Sequence, residues 1–160
     1  MRVGQGYDIH PFKEGRPLIM GGVRIPHTHG LDGHSDADVL THAVCDALLG
    51  AMGEGDLGTR YPSNNPAFKN MDSLQMLASV METLSQKGYI LVNLDTVILA
   101  QSPKLAPFMK AMKESLVKVL AAQNDQVNVK VKSGEGIGMI GRAEGIAVMA
   151  SCLIESGGRL

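Results

Sequence analysis

Asp8 and His10 stand two residues apart in Gly6-Tyr7-Asp8-Ile9-His10. Residues two apart on an extended chain project to one side, so this stretch offers a carboxylate and an imidazole together. His42 lies in a helical-period run and can close the set from a second element. Three protein ligands leave the fourth tetrahedral position open, the catalytic rather than the structural arrangement for zinc. One carboxylate with two imidazoles suits a borderline divalent ion. Asp38 and Asp46 fall one turn either side of His42 and are spaced to hydrogen-bond its other ring nitrogen. A histidine taken singly is more often a satisfied polar residue than a ligand, and spacing alone leaves that reading open. His27-x-His29 is a rival pair, but its proline and glycine neighbours read as a solvated loop.

His34 and Ser35 precede the His42 helix and could meet an anion. Ser35 also reads as an N-cap, with Asp38 completing a Ser-x-x-Asp pattern. Free N–H groups in the helix's first turn would suit phosphate. Gly136-x-Gly138-x-x-Gly141 matches a dinucleotide fingerprint as a string, but that motif needs a following helix in a βαβ unit, and here a strand follows near the chain's end. The loop can still wrap a phosphate with backbone N–H groups. Ser133, Glu135 and Arg142 are its useful side chains, and Glu135 suits a hard cation such as Mg²⁺. An Arg142–Glu144 surface ion pair is the plainer alternative. Lys104 follows a central strand, where open α/β sheets commonly bind ligands. Neither Gly-x-Ser-x-Gly nor a Walker A string is present, so chemistry on phosphates here would rest on positioning and charge neutralisation.

The elements that must position these groups follow from periodicity. Residues 1–10 read as a strand with Val3, Gln5, Tyr7 and Ile9 on one face and Gly4, Gly6, Asp8 and His10 on the other. Pro17–Met20 and Val23–Pro26 flank Gly21-Gly22, a two-residue hairpin signal. Leu40, Ala43, Val44, Ala47, Leu48 and Ala51 form one stripe of a helix running to about Met52, which leaves Asp38, His42, Cys45, Asp46 and Leu49 on another face. Residues 53–71 read as a long loop, 73–87 as a helix stopped by Gly88, and 89–100 as a central strand. Pro107 opens a third helix carrying Met109, Met112, Leu116, Val119 and Leu120. Val127, Val129 and Val131 alternate in a strand, and 146–154 form a last strand apolar on both faces. This order implies an α/β sandwich with helices on one side of a sheet. The last strand's second face needs a cover from this chain or a neighbouring subunit.

At 160 residues the chain reads as a single domain, 1–160, with a sizeable core. Its formal net charge of −1 argues against a broad basic surface for nucleic acid. The absence of a long apolar run or leader pattern, with Cys45 and Cys152 in apolar periodic segments, points to a reduced, cytoplasmic protein without a disulfide. Ten methionines and no tryptophan predict an aliphatic, Met-filled core.

Over nearly its whole length the sequence resembles the 2-C-methyl-D-erythritol 2,4-cyclodiphosphate synthases of the non-mevalonate isoprenoid pathway. The resemblance is carried by Asp8-Ile9-His10 with His34-Ser35-Asp36-Ala37-Asp38-Val39 and His42. Gly55-Asp56-Leu57-Gly58, Pro66-Ala67-Phe68-Lys69, Ala100-Gln101-Ser102-Pro103-Lys104 and Gly141-Arg142-Ala143-Glu144-Gly145-Ile146 add independent support. It implies a ferredoxin-like variant: a four-stranded mixed sheet with helices on one face and a small β-hairpin. It implies a homotrimer with active sites between subunits and the open sheet faces around the axis. The implied reaction is a lyase reaction on 4-diphosphocytidyl-2-C-methyl-D-erythritol 2-phosphate. The 2-phosphate attacks the β-phosphorus, the cyclic diphosphate forms, and CMP leaves.

By the same resemblance, Asp8, His10 and His42 hold Zn²⁺, and Glu135 helps hold Mg²⁺ or Mn²⁺. His34 and Ser133 are the catalytic pair, His34 stabilising the transition state. Ser35 contacts the phosphates, and Asp56 and Gly58 hold the methylerythritol hydroxyls. Leu57, Tyr61, Ser63 and Asn65 are further substrate contacts. Ala100 to Ala106, with Lys104 and Leu105, form the cytidine pocket. Lys132, Met139 and Arg142 complete the substrate set, and Arg142 and Glu144 lie where some members hold an isoprenoid diphosphate on the trimer axis. Three positions depart from the usual pattern: Ser63-Asn64-Asn65 lacks two carboxylates, Lys132-Ser133-Gly134 replaces a threonine-rich run, and Met139 replaces a common phenylalanine.

Overall fold

The computed structural model describes residues 1–157. Four long strands build its main sheet: β1 (Arg2–Glu14), β5 (Tyr89–Leu99), β6 (Val127–Lys132) and β7 (Gly145–Ser156). β7 runs antiparallel to both β1 and β5, and β6 is parallel to β5, so the sheet is mixed, as expected. A fifth strand, β4 (His29–Leu31), pairs with Phe12–Glu14 and gives the order β4-β1-β7-β5-β6. Four strands were expected. β4 is three residues long, too short to show a period, and β1 runs on to Glu14 because it has this partner after Pro11 ends its pairing with β7. β2 (Leu18–Met20) and β3 (Val23–Ile25) form the separate hairpin. Gly21 and Gly22 turn it with φ of +57° and +72°, a left-handed pair that glycine adopts without strain.

Helices α1 (Val39–Met52), α3 (Ser73–Gln86) and α4 (Met109–Leu120) lie on one face of the sheet. α1 rests directly on β1 because Gly4 and Gly6 lack side chains on that face. A Cβ at either would stand within 2.0 Å of an α1 carbonyl oxygen. The same face carries Asp8 and His10 onward toward α1. Residues 53–71, expected as loop, also contain the one-turn helix α2 (Leu57–Arg60) and a 3-10 turn over Pro66–Phe68. The glycine-rich segment 133–141 likewise ends in one helical turn, α5 (Gly138–Gly141), before β7.

Two expectations about α1 are corrected. It begins at Val39 with Asp38, not Ser35, as N-cap. It is also buried nearly all round, Cys45 and Leu49 included, so it has no separate open face. The hairpin, β1 and α3 enclose it, and Leu40, Val44 and Leu48 join the continuous core. The opposite sheet face is uncovered in the described chain: Val3, Tyr7 and Met149 are 75%, 52% and 42% exposed. Ser151 on that face is polar and exposed, so β7 is less apolar there than its sequence implies.

Candidate active site

Asp8 and His10 reach the site from the helix-facing side of β1, and His42 from the first turns of α1. Asp8 Oδ2 lies 3.0 Å from His10 Nε2 and 3.0 Å from His42 Nδ1. Donor atoms around one tetrahedral zinc ion stand ~3.3 Å apart at metal–ligand distances of about 2 Å; Asp8 Oδ2 is already close to that separation from both imidazole nitrogens, and the three atoms lie within 4.8 Å of one another. Among the described residues these three are the group of His, Cys, Asp and Glu side chains that could hold a metal ion.

The far side of each imidazole shows why a cation fits. His10 Nδ1 is 2.5 Å from the Asp32 carbonyl oxygen. A carbonyl only accepts, so Nδ1 carries the hydrogen and Nε2 turns its lone pair toward Asp8. On the other ring, His42 Nε2 is 2.8 Å from Ser73 Oγ and 3.1 Å from Ser35 Oγ. The Ser73 hydroxyl donates to Asp36, so its oxygen accepts from His42 and the Nδ1 lone pair is left facing Asp8. Three electron pairs converge on one point, which only a proton or a metal ion can relieve. Where protons rather than a metal ion fill that point, burial would raise the Asp8 pKa, yet the hydrogen bonds and charges of His10 and His42 outweigh it and hold the carboxyl well below its ordinary range. Burial would likewise lower His10, but the Asp8 carboxylate outweighs it and raises the ring's pKa.

The metal cluster lines a cavity of about 220 Å³ with His34, Ser35, Asp46, Leu57, Gly58, Tyr61 and Ser63. The structure thus brings together the expected metal ligands and part of the expected substrate set. His34 Nε2 donates to the Asn65 carbonyl at 3.0 Å, tying it to the loop that carries Ser63. Ser35 Oγ faces inward, accepting from Ala37 N–H and meeting His42. Asp56 caps α2 through Thr59 N–H and is exposed. Neither aspartate near His42 serves as its ring partner. Asp46 accepts from Leu57 N–H, which fixes the α2 turn. Asp38 is fully buried and accepts from Gly21, Gly22 and Thr41. Asp38 thus sets its own carboxylate at the α1 N-terminus. His27 and His29 stack near Phe12, away from the cluster, and His29 belongs to β4.

A second cavity, about 560 Å³, is lined by Ala100, Gln101, Pro103, Lys104, Leu105, Ala106, Lys132 and Ser133, among others. Within one chain it is separate from the first. The strand ends that carry the two are level: Ile9 and Leu99 both pair with Ala147, so they stand two strand spacings, about 10 Å, apart. Ser133 Oγ donates to Glu135, whose φ of +50° sits beside the positive-φ Gly136. Met139 is exposed, and Arg142 forms the surface pair with Glu144 at 2.6 Å, away from both cavities just described. Sequence reasoning missed three supports. Arg16 donates to the Gly33 and Ser35 carbonyls, and Ser73, held by Asp36, meets His42 Nε2. Only Asp36 lies in a motif singled out above, and none of these bonds follows from local spacing.

Comparison with known proteins agrees with this geometry. A family model described as the YgbB family matches residues 1–155. The 2-C-methyl-D-erythritol 2,4-cyclodiphosphate synthase of Lysinibacillus sphaericus is 53% identical over 153 residues, covering 96% of this chain and 97% of the relative. The IspF of Plasmodium falciparum, solved as a CDP complex, superposes with a TM-score of 0.86 at 34% identity, covering 98% of this chain and 97% of that one. The bifunctional IspDF of Campylobacter jejuni superposes with a TM-score of 0.93 at 42% identity. That match covers 97% of this chain but 42% of the longer one.

Proposed function

This chain belongs to the YgbB family of 2-C-methyl-D-erythritol 2,4-cyclodiphosphate synthases, and we propose that it carries out the reaction its relatives are named for. The substrate is 4-diphosphocytidyl-2-C-methyl-D-erythritol 2-phosphate. An oxygen of the 2-phosphate forms a bond to the β-phosphorus. The bond from that phosphorus to the bridging oxygen breaks, and its electron pair leaves with CMP. The observation that carries this reading is the convergence of three lone pairs, on Asp8, His10 and His42, inside a cavity lined by polar and apolar groups.

A divalent ion held by Asp8, His10 and His42, which we take to be Zn²⁺, supplies Lewis acidity toward the phosphate. The protein's own groups do the positioning. Asp56, Leu57 and Gly58 take the methylerythritol hydroxyls beside the metal cluster, and Tyr61, Ser63 and Asn65 border them. His34, anchored on Asn65, has its Nδ1 free to meet phosphate. The second cavity takes cytidine: a CDP complex is known for the Plasmodium relative. Lys104 and Lys132 there would be positive toward the diphosphate, while Ser133 would meet the phosphates and Glu135 would help hold a Mg²⁺ or Mn²⁺ ion. Nucleophile and electrophile arrive in one molecule, so fixing their geometry supplies much of the rate. This accounts for a site with no protein nucleophile.

We further take the working form to be a homotrimer. The uncovered sheet face with Val3, Tyr7 and Met149 supplies an apolar surface for it, and Arg142 and Glu144 would meet an isoprenoid diphosphate on the axis. Two free, buried cysteines favour the cytoplasm. Purified zinc-loaded protein given the substrate and Mg²⁺ releases CMP on this reading, and folded, zinc-loaded protein releasing none contradicts it.

A further inference from the structure

Ser73 is fully buried at the first position of α3, far in sequence from the metal ligands, and no part of the reaction just described uses it. Its environment fixes the direction of every bond it makes. Asp36 accepts twice from it: Oδ2 takes the Ser73 backbone N–H at 3.0 Å, and Oδ1 takes the hydroxyl. An ionised carboxylate only accepts, so the hydroxyl hydrogen is committed. Ser73 Oγ, 2.8 Å from His42 Nε2, is left with acceptor capacity alone. Ser35 Oγ lies at 3.1 Å from the same nitrogen but can turn its hydroxyl either way, so it does not decide the matter.

We propose that Ser73, oriented by Asp36, is a positioning residue that fixes His42 as its Nε2–H tautomer and so aims the Nδ1 lone pair at the metal position. Histidine ligands are commonly set by a partner on the far nitrogen. Here that partner is a hydroxyl whose own direction is dictated by a carboxylate one step farther out. The chain Asp36–Ser73–His42–Asp8 spans the loop before α1, the start of α3, α1 and β1. It therefore ties ligand orientation to the docking of α3. This inference rests on the metal reading of Asp8, His10 and His42.

Two variants separate tautomer control from simple support. Ser73→Ala removes the acceptor. Asp36→Ala removes the acceptor that commits the Ser73 hydroxyl, which is then free to donate to His42 and lets the opposite tautomer form. Two-bond ¹H–¹⁵N correlation spectra of Zn²⁺-loaded, ¹⁵N-histidine-labelled protein read which His42 nitrogen keeps its hydrogen, and competition with a chromophoric chelator reads Zn²⁺ affinity. The wild type should show His42 as Nε2–H, and Ser73→Ala and Asp36→Ala should each show a mixture of Nε2–H and Nδ1–H. Zn²⁺ affinity should fall about 10–100-fold in both variants. A wild type already in the Nδ1–H form, or variants that keep the Nε2–H form and bind Zn²⁺ within about twofold of wild type, would overturn the proposal. Wild-type protein that binds no Zn²⁺ would remove the metal reading and this inference with it.

Discussion

Alanine at Gly6 should unseat α1 and disable the metal cluster in one step. The added Cβ would stand 2.0 Å from the Ala43 carbonyl oxygen and 2.8 Å from Ala47 N, whereas real Cβ contacts under 3.0 Å essentially do not occur. The helix must therefore withdraw by the difference, 3.0 less 2.0, or about 1 Å. The clashing atoms are backbone, so no side chain can swing aside. The cost lies at the top of the overpacking range, about 3 kcal/mol, a Tm loss of roughly 6–12 °C for a chain of this size. His42 adjoins Ala43, and its Nδ1 now sits 3.0 Å from Asp8 Oδ2. Metal sites tolerate only about ±0.2 Å in ligand distance, so Zn²⁺ affinity should fall by at least about tenfold. Gly50→Ala is the control. It lies in the same helix, and its Cβ would meet only the Gln5 carbonyl oxygen at 3.8 Å. Relief of glycine's helix penalty should stabilise that variant by about 0.5–1 kcal/mol. Urea melts at one fixed protein concentration, paired with chelator competition, read both variants. Gly6→Ala that loses under about 1 kcal/mol and keeps wild-type Zn²⁺ affinity would refute the close-packing argument.

Asp38→Ala should cost about 3–5 kcal/mol, since it strands the Gly21 and Thr41 donors in the core. Asp38→Asn should rescue little, because an amide turns one acceptor oxygen into a donor facing N–H and O–H groups; a urea midpoint near wild type for either variant would contradict the assignment. The pH dependence of metal-free protein follows from Asp8 and His10. His10 is raised, so its contribution is full below the ordinary value of 6.5 and is lost as pH rises through the raised value. Asp8 is lowered, so its contribution holds above 3.8 and is lost only as pH falls through the depressed value. Metal-free Tm should thus decline just above pH 6.5, while the Tm gain on adding Zn²⁺ grows because fewer protons compete for His10. A gain that stays constant from about pH 6 to 8 by differential scanning fluorimetry would contradict this.

The site was legible where its logic is local. Period two on β1 put Asp8 and His10 on one face, and period 3.6 placed His42 on a helix; the fold then made the three donors meet. The reading failed where a residue's partner lies elsewhere in the fold. Ser35, Asp36 and Asp38 are all acceptable helix caps in sequence. Asp38 wins because Gly21 and Gly22 of the hairpin bring it two more donors, which the α1 sequence does not encode. The same cause hid the role of Ser73, 37 residues from Asp36. α1 read as two-faced because His42 and Asp46 are polar, yet the hairpin and α3 cover it from sides that periodicity does not reveal. Where β4 is concerned, three residues carry no period at all.

The central claim is that the site closes one substrate molecule on itself without water. Turnover in H₂¹⁸O, with CMP and the cyclic product read by mass spectrometry, tests it most directly. The account predicts equal amounts of CMP and cyclic diphosphate, neither carrying ¹⁸O. Solvent ¹⁸O in either phosphorylated product would mean that water, not the 2-phosphate, attacks the phosphorus, and would contradict it.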